Sequence, residues 1–350
     1  MDLLDTSGPV DHEQVVFCQD RSSGLRAIIA IHSTRLGPSL GGTRFYPYAT
    51  EADALADVLL LARAMTYKSA AAGLDLGGGK AVIIGDPKKD KTGSLFRTYA
   101  RYVDSLGGRY ITTEDVGTTV DDMNVIHTVT KHVTGFARAD GGSGDPSEAT
   151  GWGAFSAIRA VARRLWGSDF LTGRHIAIQG VGKVGSHLAG HLAGAGARLT
   201  IADVSPEAAE RIRDRHGASV VAPDAIHRVE ADIYSPCALG GALSPQTIPE
   251  IASPAVAGCA NNQLATPDSA QLMADRSILY APDYIVNAGG VINISYEQAP
   301  GGYDHDRAFA HCARIGETLE RVFDVASEQN ITTAAAADHL AESRLDAPRE

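Results

Sequence analysis

The sequence is short of cysteine, of long apolar runs and of excess positive charge, and each shortage removes a class of protein. Four cysteines, Cys18, Cys237, Cys259 and Cys312, stand in 350 residues without a CxxC spacing. That excludes a disulfide framework or a zinc ribbon and points to free thiols in a reducing cytosol. No apolar run approaches a membrane span. Lys and Arg number 31 against 42 Asp and Glu, for a net charge of −11, so no general nucleic-acid or anionic-membrane surface is expected. The histidines have no metal-ligand spacing, and neither HExxH nor GxSxG occurs. Zinc-hydrolase and serine-hydrolase chemistry therefore lack their signatures, and no metal is expected. The opening Met-Asp-Leu-Leu-Asp has no basic region or apolar core, so the sequence reads as cytoplasmic, without a secretory signal.

Glycine is plentiful, at 37 residues, and three of them are consecutive in Leu74-Asp-Leu-Gly-Gly-Gly-Lys80. A glycine run permits backbone approach that a Cβ forbids. Lys80 and Lys68 are both embedded in small or apolar residues. Solvated lysines are the ordinary case. Two lysines in one pocket would instead lower one pKa and make a general base, leaving the other to hold a carboxylate. Asp115 ends an apolar stretch and reads equally as a turn residue or a functional carboxylate.

Along the chain, 14–18 and 25–32 read as strands, and Gly37–Arg44 as a turn-rich loop. Thr50 precedes a helix with Leu55, Val58, Leu59, Ala62 and Met65 as its stripe, ending near Lys68. Ala81–Ile84 is a strand, Phe96–Leu106 a helix and Tyr110–Thr113 a strand. Gly141–Pro146 is the best linker candidate. Beyond it a helix is expected from about Ala154, and then a strand at His175–Gln179. Gly180-Val-Gly-Lys-Val-Gly185 and a helix through Leu192 follow, and then a strand from Leu199 to Asp203. Further strands are expected at 219–221, 232–234, 255–257 and 284–286. A long helix is expected over 306–326, and a short one over 333–343. Alternating strands and helices imply an α/β protein.

The glycine motif has a strand before it, a helix after it and an acidic residue ending the next strand, which is the context of a dinucleotide site. Asp203 would accept hydrogen bonds from the adenine-ribose hydroxyls and repel a 2′-phosphate, favouring NAD over NADP. Asn287 before Gly-Gly reads equally as a turn or as a polar contact to substrate. Trp152 and Trp166 read as packing residues.

In combination, Gly37–Arg44, Met65-Thr-Tyr-Lys68, Leu76-Gly-Gly-Gly-Lys80, Thr113-Glu-Asp-Val-Gly117, Gly180–Gly185 and Asn287-Ala-Gly-Gly-Val-Ile-Asn293 resemble the glutamate/leucine/phenylalanine/valine dehydrogenases. The resemblance covers about residues 12 to 345 and lies closest to the leucine/valine branch. Pro236-Cys-Ala-Leu-Gly-Gly-Ala-Leu and Ala260-Asn-Asn-Gln-Leu are similar to valine enzymes, while His12-Glu-Gln-Val is shared with tryptophan dehydrogenases. It implies an α/β fold of two domains. An N-terminal substrate and oligomerisation domain with a mixed sheet (1–140) would take back the tail, 331–350. A C-terminal Rossmann NAD-binding domain (141–330) would follow, with the active site in the cleft between the two.

By the same resemblance, Lys80 is the general base that activates water, and Asp115 moves protons to and from the amino nitrogen. Lys68 with the backbone of Gly41 and Gly42 binds the substrate carboxylate, and Asn287 holds the substrate. Leu40, Thr113, Val291 and Ile294 surround its side chain. Thr150 and Asn261 line the nicotinamide. Gly180, Gly182, Lys183, Val184, Gly185, Asp203, Cys237 and Ala238 complete the cofactor set. Asp145–Thr150 departs from the usual run before that threonine, and Thr113 stands where leucine enzymes tend to have alanine. The implied reaction is oxidative deamination of a branched-chain aliphatic L-amino acid by NAD in a homo-oligomer, dimer or octamer. An aromatic substrate, or a catalytically silent NAD-binding regulator, is the alternative. Leu40 offers no partner to a second carboxylate, so glutamate is expected to be excluded.

Overall fold

Strand β2 (Leu25–Ser33) is buried on both faces, and that decides the first layer. Ile28 and Ala30 pack into one cluster, and Ala27, Ile29 and Ile31 into another, because successive side chains of a strand point to opposite faces. The computed structural model describes residues 11–347. The opening Met-Asp-Leu-Leu-Asp and the last three residues of the tail lie outside them.

The chain divides into two compact units. The first takes the chain up to Asp145, Ile294–Asp304 and the chain from Ala341. Its sheet joins β1 (Gln14–Asp20), β2, β3 (Ser39–Tyr46), β4 (Gly77–Ile84) and β5 (Tyr110–Glu114) in the order β1-β2-β4-β3-β5. β1–β2 and β2–β4 are antiparallel, and β4–β3 and β3–β5 parallel, so the sheet is mixed. On one face lies α1 (Glu51–Ala71), opened by a capping box in which Thr50 and Asp53 satisfy each other's backbone N–H. Its Ala54, Val58, Leu59 and Ala62 pack on Ile28, Ala30 and Val82. Burying Val58 or Leu59 stabilises the unit by roughly 1.5–3 kcal/mol each. The other face is covered by α2 (Gly93–Ser105) and α3 (Val120–His127), with Phe96, Tyr99, Met123 and Ile126 against Phe45, Ala81, Ile83 and Tyr110.

Two expectations change here. Gly37–Arg44 is not a loop throughout, because β3 begins at Ser39. The strand expected from Ala81 begins at Gly77, so the triple glycine lies inside β4. Glycine is a poor strand former, but a Cβ at Gly78 would collide with the backbone N of Thr66 on α1, and one at Gly79 would stand 2.9 Å from Ser39 Oγ. Close approach of helix to sheet outweighs propensity.

The second unit takes Pro146–Asn293 and His305–Leu340. Its elements are α4 (Ser147–Trp166), β6 (His175–Gln179), α5 (Lys183–Gly194), β7 (Arg198–Ala202), α6 (Pro206–His216), β8 (Ser219–Val220), β9 (Ile233–Pro236), β10 (Ala255–Val256), α7 (Ser269–Asp275), β11 (Leu279–Tyr280) and α8 (Asp283–Val286). Then follow α9 (Gly289–Ser295), α10 (His305–Ala313), α11 (Ile315–Gln329) and α12 (Thr333–Asp346). All the sheet pairings are parallel, in the order β11-β10-β9-β6-β7-β8. The strand expected at 284–286 is helix α8, since Ile285 and Val286 both donate to Pro282 O. A run of three apolar residues does not distinguish the two. Helix α4 begins at Ser147, well before Ala154, because Ala149, Gly151 and Gly153 bury without an apolar stripe. The single helix expected over 306–326 is two, parted at Arg314, whose N–H donates to His311 O. Among the described residues no helix is long and apolar enough to cross a membrane.

Gly78→Ala is expected to lower unfolding free energy by about 2 kcal/mol or more, as overpacking against fixed backbone does. Gly194→Ala, at an exposed helical site with nothing within 4 Å of the added Cβ, should change it by about 0.5 kcal/mol or less. Urea unfolding of both variants checks this.

Candidate active site

Strand register places the charged groups of the first unit. Leu40 pairs with Gly78 and Thr43 with Ala81, which sets Gly42 beside Lys80. Gly42 itself pairs with Thr113 on β5, and Asp115 follows that strand. Two strand spacings, about 9.5 Å, separate β4 from β5, and Asp115 lies two residues beyond the level of Thr113. The lysine side chain reaches past β3 and forms an ion pair with the Asp115 carboxylate. A Cβ at Gly42 would stand 2.8 Å from Asp115 Cβ and 2.6 Å from Glu114 O. Lys80 is 7% exposed, so this is a buried pair.

Asp115 is held on every side. Thr118 Oγ1 accepts from its N–H at 2.8 Å and donates to Thr43 O at 2.9 Å. Val116 N–H donates to Oδ1 at 2.5 Å. Arg44 Nη2 stands 3.6 Å from Oδ1, and Arg44 Nη1 donates to Asp57 Oδ2 at 2.9 Å. Burial opposes the carboxylate charge, but Lys80, Arg44 and the Val116 N–H outweigh it and hold Asp115 below the usual range. Lys68 lies half-buried in the last turn of α1, one turn on from Met65. The Met65 Cγ would touch a Cβ at Gly41 at 3.4 Å. Leu40 and Thr113 are buried on β3 and β5. Arg44, Asp57 and Thr118 were not singled out in the sequence. Arg44 closes the Gly37–Arg44 motif and alternates with Gly42 along β3, and that period-2 spacing was the available signal.

In the second unit the turn from β6 into α5 is built from close contacts. Gly180 has φ +91°, and a Cβ there would be 2.7 Å from Ala238 Cβ. Cys237 Cβ would be 3.5 Å from one at Gly185. Gly182 is the N-cap of α5, with no side-chain cap and nothing within 4 Å of an added Cβ. Lys183 is exposed and Val184 half-buried in the first turn. A helix N-terminus with no side-chain cap, opened by a glycine with free space at its Cβ position, fits a pyrophosphate. Asp203 follows β7 and accepts from Val181 N–H at 2.7 Å and Ser205 N–H at 2.8 Å. Asn287 Nδ2 donates to Asn261 Oδ1 at 2.9 Å, while Asn287 Oδ1 is buried without a protein partner. Thr150 lies in the first turn of α4 and donates to Pro146 O at 3.0 Å, and an added Cβ at Gly290 would be 2.8 Å from its Oγ1. Val291 is buried on α9, as is Ile294, which belongs to the first unit.

A parallel sheet with a dinucleotide turn at its centre, carried with a mixed-sheet unit that buries a lysine–aspartate pair, defines a two-domain dehydrogenase that calls for a nicotinamide cofactor. Comparison with known proteins sharpens the class. Residues 12–132 match the model for the Glu/Leu/Phe/Val dehydrogenase dimerisation domain. Residues 141–208 and 206–345 match that for Glutamate/Leucine/Phenylalanine/Valine dehydrogenase. Leucine dehydrogenase of Geobacillus stearothermophilus is 49% identical, over 100% of this chain and 95% of its own. Valine dehydrogenase of Streptomyces coelicolor is 54% identical, over 95% and 92%. The crystal structure of L-tryptophan dehydrogenase from Nostoc punctiforme superposes with a TM-score of 0.84 at 44% identity, covering 96% of each chain. The chain belongs to the glutamate/leucine/phenylalanine/valine dehydrogenase family of amino acid oxidoreductases.

The lowered Asp115 value carries a pH signature. A depressed carboxyl contributes stability that is fully present above its unfolded value, about 3.9, and is lost as pH falls through the folded value. The stability gap between wild type and Asp115→Asn should therefore stay constant above about pH 4 and narrow below it. Melting temperature against pH for both proteins checks this, and parallel curves would contradict it.

Proposed function

We propose that this chain is an NAD-dependent dehydrogenase of branched-chain L-amino acids. It converts valine, leucine or isoleucine reversibly to the 2-oxo acid, ammonia and NADH. The observation that carries the reading is the buried Lys80–Asp115 pair, formed across β3. It unites a base and a carboxylate where an amino group would lose its proton.

Each residue has a task in this scheme. The Lys68 ammonium and the backbone at Gly41 and Gly42 bind the substrate carboxylate. Asp115, ionised at neutral pH, takes the proton of the substrate ammonium. A nicotinamide held beside Thr150 and Asn261 would supply the acceptor for the hydride of the substrate Cα. With Asp115 protonated, Lys80 gives up its ammonium proton to solvent and, as the free amine, draws a proton from the water that attacks the iminium carbon, while Asp115 returns its proton to the leaving nitrogen. Asn287 offers its unpartnered Oδ1 to the substrate ammonium. Thr150 and Asn261 line the cofactor, Cys237 and Ala238 back the glycine turn, and Lys183 and Val184 open the helix that holds the pyrophosphate. Both Asp203 oxygens keep a lone pair beyond the Val181 and Ser205 bonds. They receive the ribose hydroxyls and repel a 2′-phosphate, which selects NAD.

Substrate choice rests on Leu40, Thr113, Val291 and Ile294, which are apolar or small and lack a cation for a distal carboxylate. The leucine and valine dehydrogenase relatives support the branched-chain reading. An aromatic substrate is the second reading, favoured by the likeness to the tryptophan enzyme. The first family segment, described as a dimerisation domain, supports a homo-oligomer, dimer or octamer. A cytoplasmic location accords with the chemistry.

The test is kcat/KM across valine, leucine, isoleucine, phenylalanine, tryptophan and glutamate, each with NAD and NADP. Branched-chain substrates with NAD should lead, separated from one another by roughly 10–200-fold at most, the reach of one methylene. Glutamate should be unused. Preference for an aromatic substrate or for NADP would overturn the corresponding assignment.

Lys80→Ala should lower kcat by about 100-fold or more, the share of a positioned base. Lys68→Ala should act chiefly on KM. Near-normal turnover in Lys80→Ala would remove Lys80 as the base.

A further inference from the structure

The two cysteines nearest the glycine turn are in contact with each other. Cys237 follows β9 and Cys259 follows β10, neighbouring parallel strands. Their Sγ atoms stand 3.1 Å apart, and Ser235 Oγ lies 3.4 Å from Cys237 Sγ. The backbones around them are pressed together, since Ala260 N–H donates to Pro236 O at 3.0 Å and Gly258 leaves no room for a Cβ against Pro236. A disulfide needs the sulfurs about 2.05 Å apart, so closure asks for a shift of about 1 Å.

We propose that Cys237 and Cys259 are an oxidisable dithiol that closes into a reversible disulfide at the carboxyl ends of β9 and β10. The oxidant is a peroxide. The Cys237 thiolate attacks one peroxide oxygen, the O–O bond breaks, and a sulfenic acid and one water result. The Cys259 sulfur attacks the Cys237 sulfur, the S–O bond breaks, and a second water leaves. Two hydrogens are lost from the protein and the peroxide is reduced.

The pair is set apart from the remaining thiols. Cys237 is half-buried, whereas Cys18 and Cys312 are buried and burial pushes their pKa to about 12. The hydrogen bond from Cys259 holds the Cys237 thiol below its ordinary range, and a thiolate is the reactive form. Cys237 and Ala238 pack against Gly185 and Gly180. Closure therefore shifts the wall of the dinucleotide turn, and NADH binding should weaken with it.

Peptide mapping after a limited hydrogen peroxide dose tests the site without relying on catalysis. The expected result is loss of two of the four thiols, a Cys237–Cys259 cross-linked peptide lighter by two hydrogens, and full recovery with dithiothreitol. In Cys259→Ser no cross-link forms and Cys237 proceeds to sulfinic acid, which dithiothreitol does not reverse. Cys237→Ser should leave Cys259 reduced at the same dose. NADH fluorescence titration of the cross-linked protein should show a raised Kd that reduction restores. Survival of all four thiols, or sulfinic acid at Cys237 in the wild type without a cross-link, overturns the dithiol. An unchanged Kd in the cross-linked protein overturns its link to the dinucleotide turn. Failure of the amino acid assay would touch neither result.

Discussion

The first unit depends on a lysine reaching an aspartate across an intervening strand. Lys80 and Asp115 sit two strands apart with β3 between them. A Cβ at Gly42 would press on Asp115 Cβ and Glu114 O, and so on the backbone that carries the carboxylate the lysine meets. The ion pair, the order of the strands and the glycine are thus one condition. A buried pair is costly to desolvate and becomes worthwhile only when the remaining lone pairs and protons find partners. Arg44 and the Val116 N–H provide them for the Asp115 carboxylate, Thr118 holds the Asp115 backbone N–H, and Asp57 anchors Arg44 from α1. Tyr48 Oη donates to the same Asp57 oxygen at 2.5 Å, so the network runs from the sheet into the helix.

The second unit solves a different problem by the same means. A dinucleotide turn must bring backbone N–H groups to an anion, and side chains would hold the ligand off. Gly180 rests on Ala238, and a Cβ at Gly185 would collide with Gly180 O. Gly289 is pressed on Ala149 O in the same way. The small residues that look uninformative in composition are those that set backbone separations.

That observation explains what could be read from the sequence. Lys80, Asp115 and the Gly180–Gly185 turn stand out because each combines a charged or glycine signal with a bounded apolar strand, and Lys68 because it ends an apolar helical stripe. The capping box at Thr50 marks the start of α1 to the residue. The start of α4 was hidden, because Ala149, Gly151 and Gly153 carry no hydrophobic period although all three are buried. The strand character of Gly77–Gly79 was hidden by propensity and imposed by tertiary contact. Arg44 was hidden for another reason. Its importance comes from register against β5, and register is a property of pairs of strands that one strand does not display.

The last turn of α1 has a partner far along the chain. Arg344 Nη1 donates to Leu74 O at 2.6 Å and reaches Ser69 O and Ala70 O at 3.4 and 3.3 Å, while Nη2 meets Asp75. Leu74 O lies beyond the helix, and Ser69 O and Ala70 O already accept from the N–H groups of Leu74 and Gly73, so the guanidinium adds a cation to a helix end whose backbone is already capped. On a ribosome adding about 5–20 residues per second, the roughly 270 residues between them take about 15–50 s to appear. For that interval the helix bearing Met65 and Lys68 has its closing cation still unsynthesised. Completion of the first unit is thereby timed to translation of α12, which makes synthesis speed and early access of chaperones matter most for the half of the protein made first.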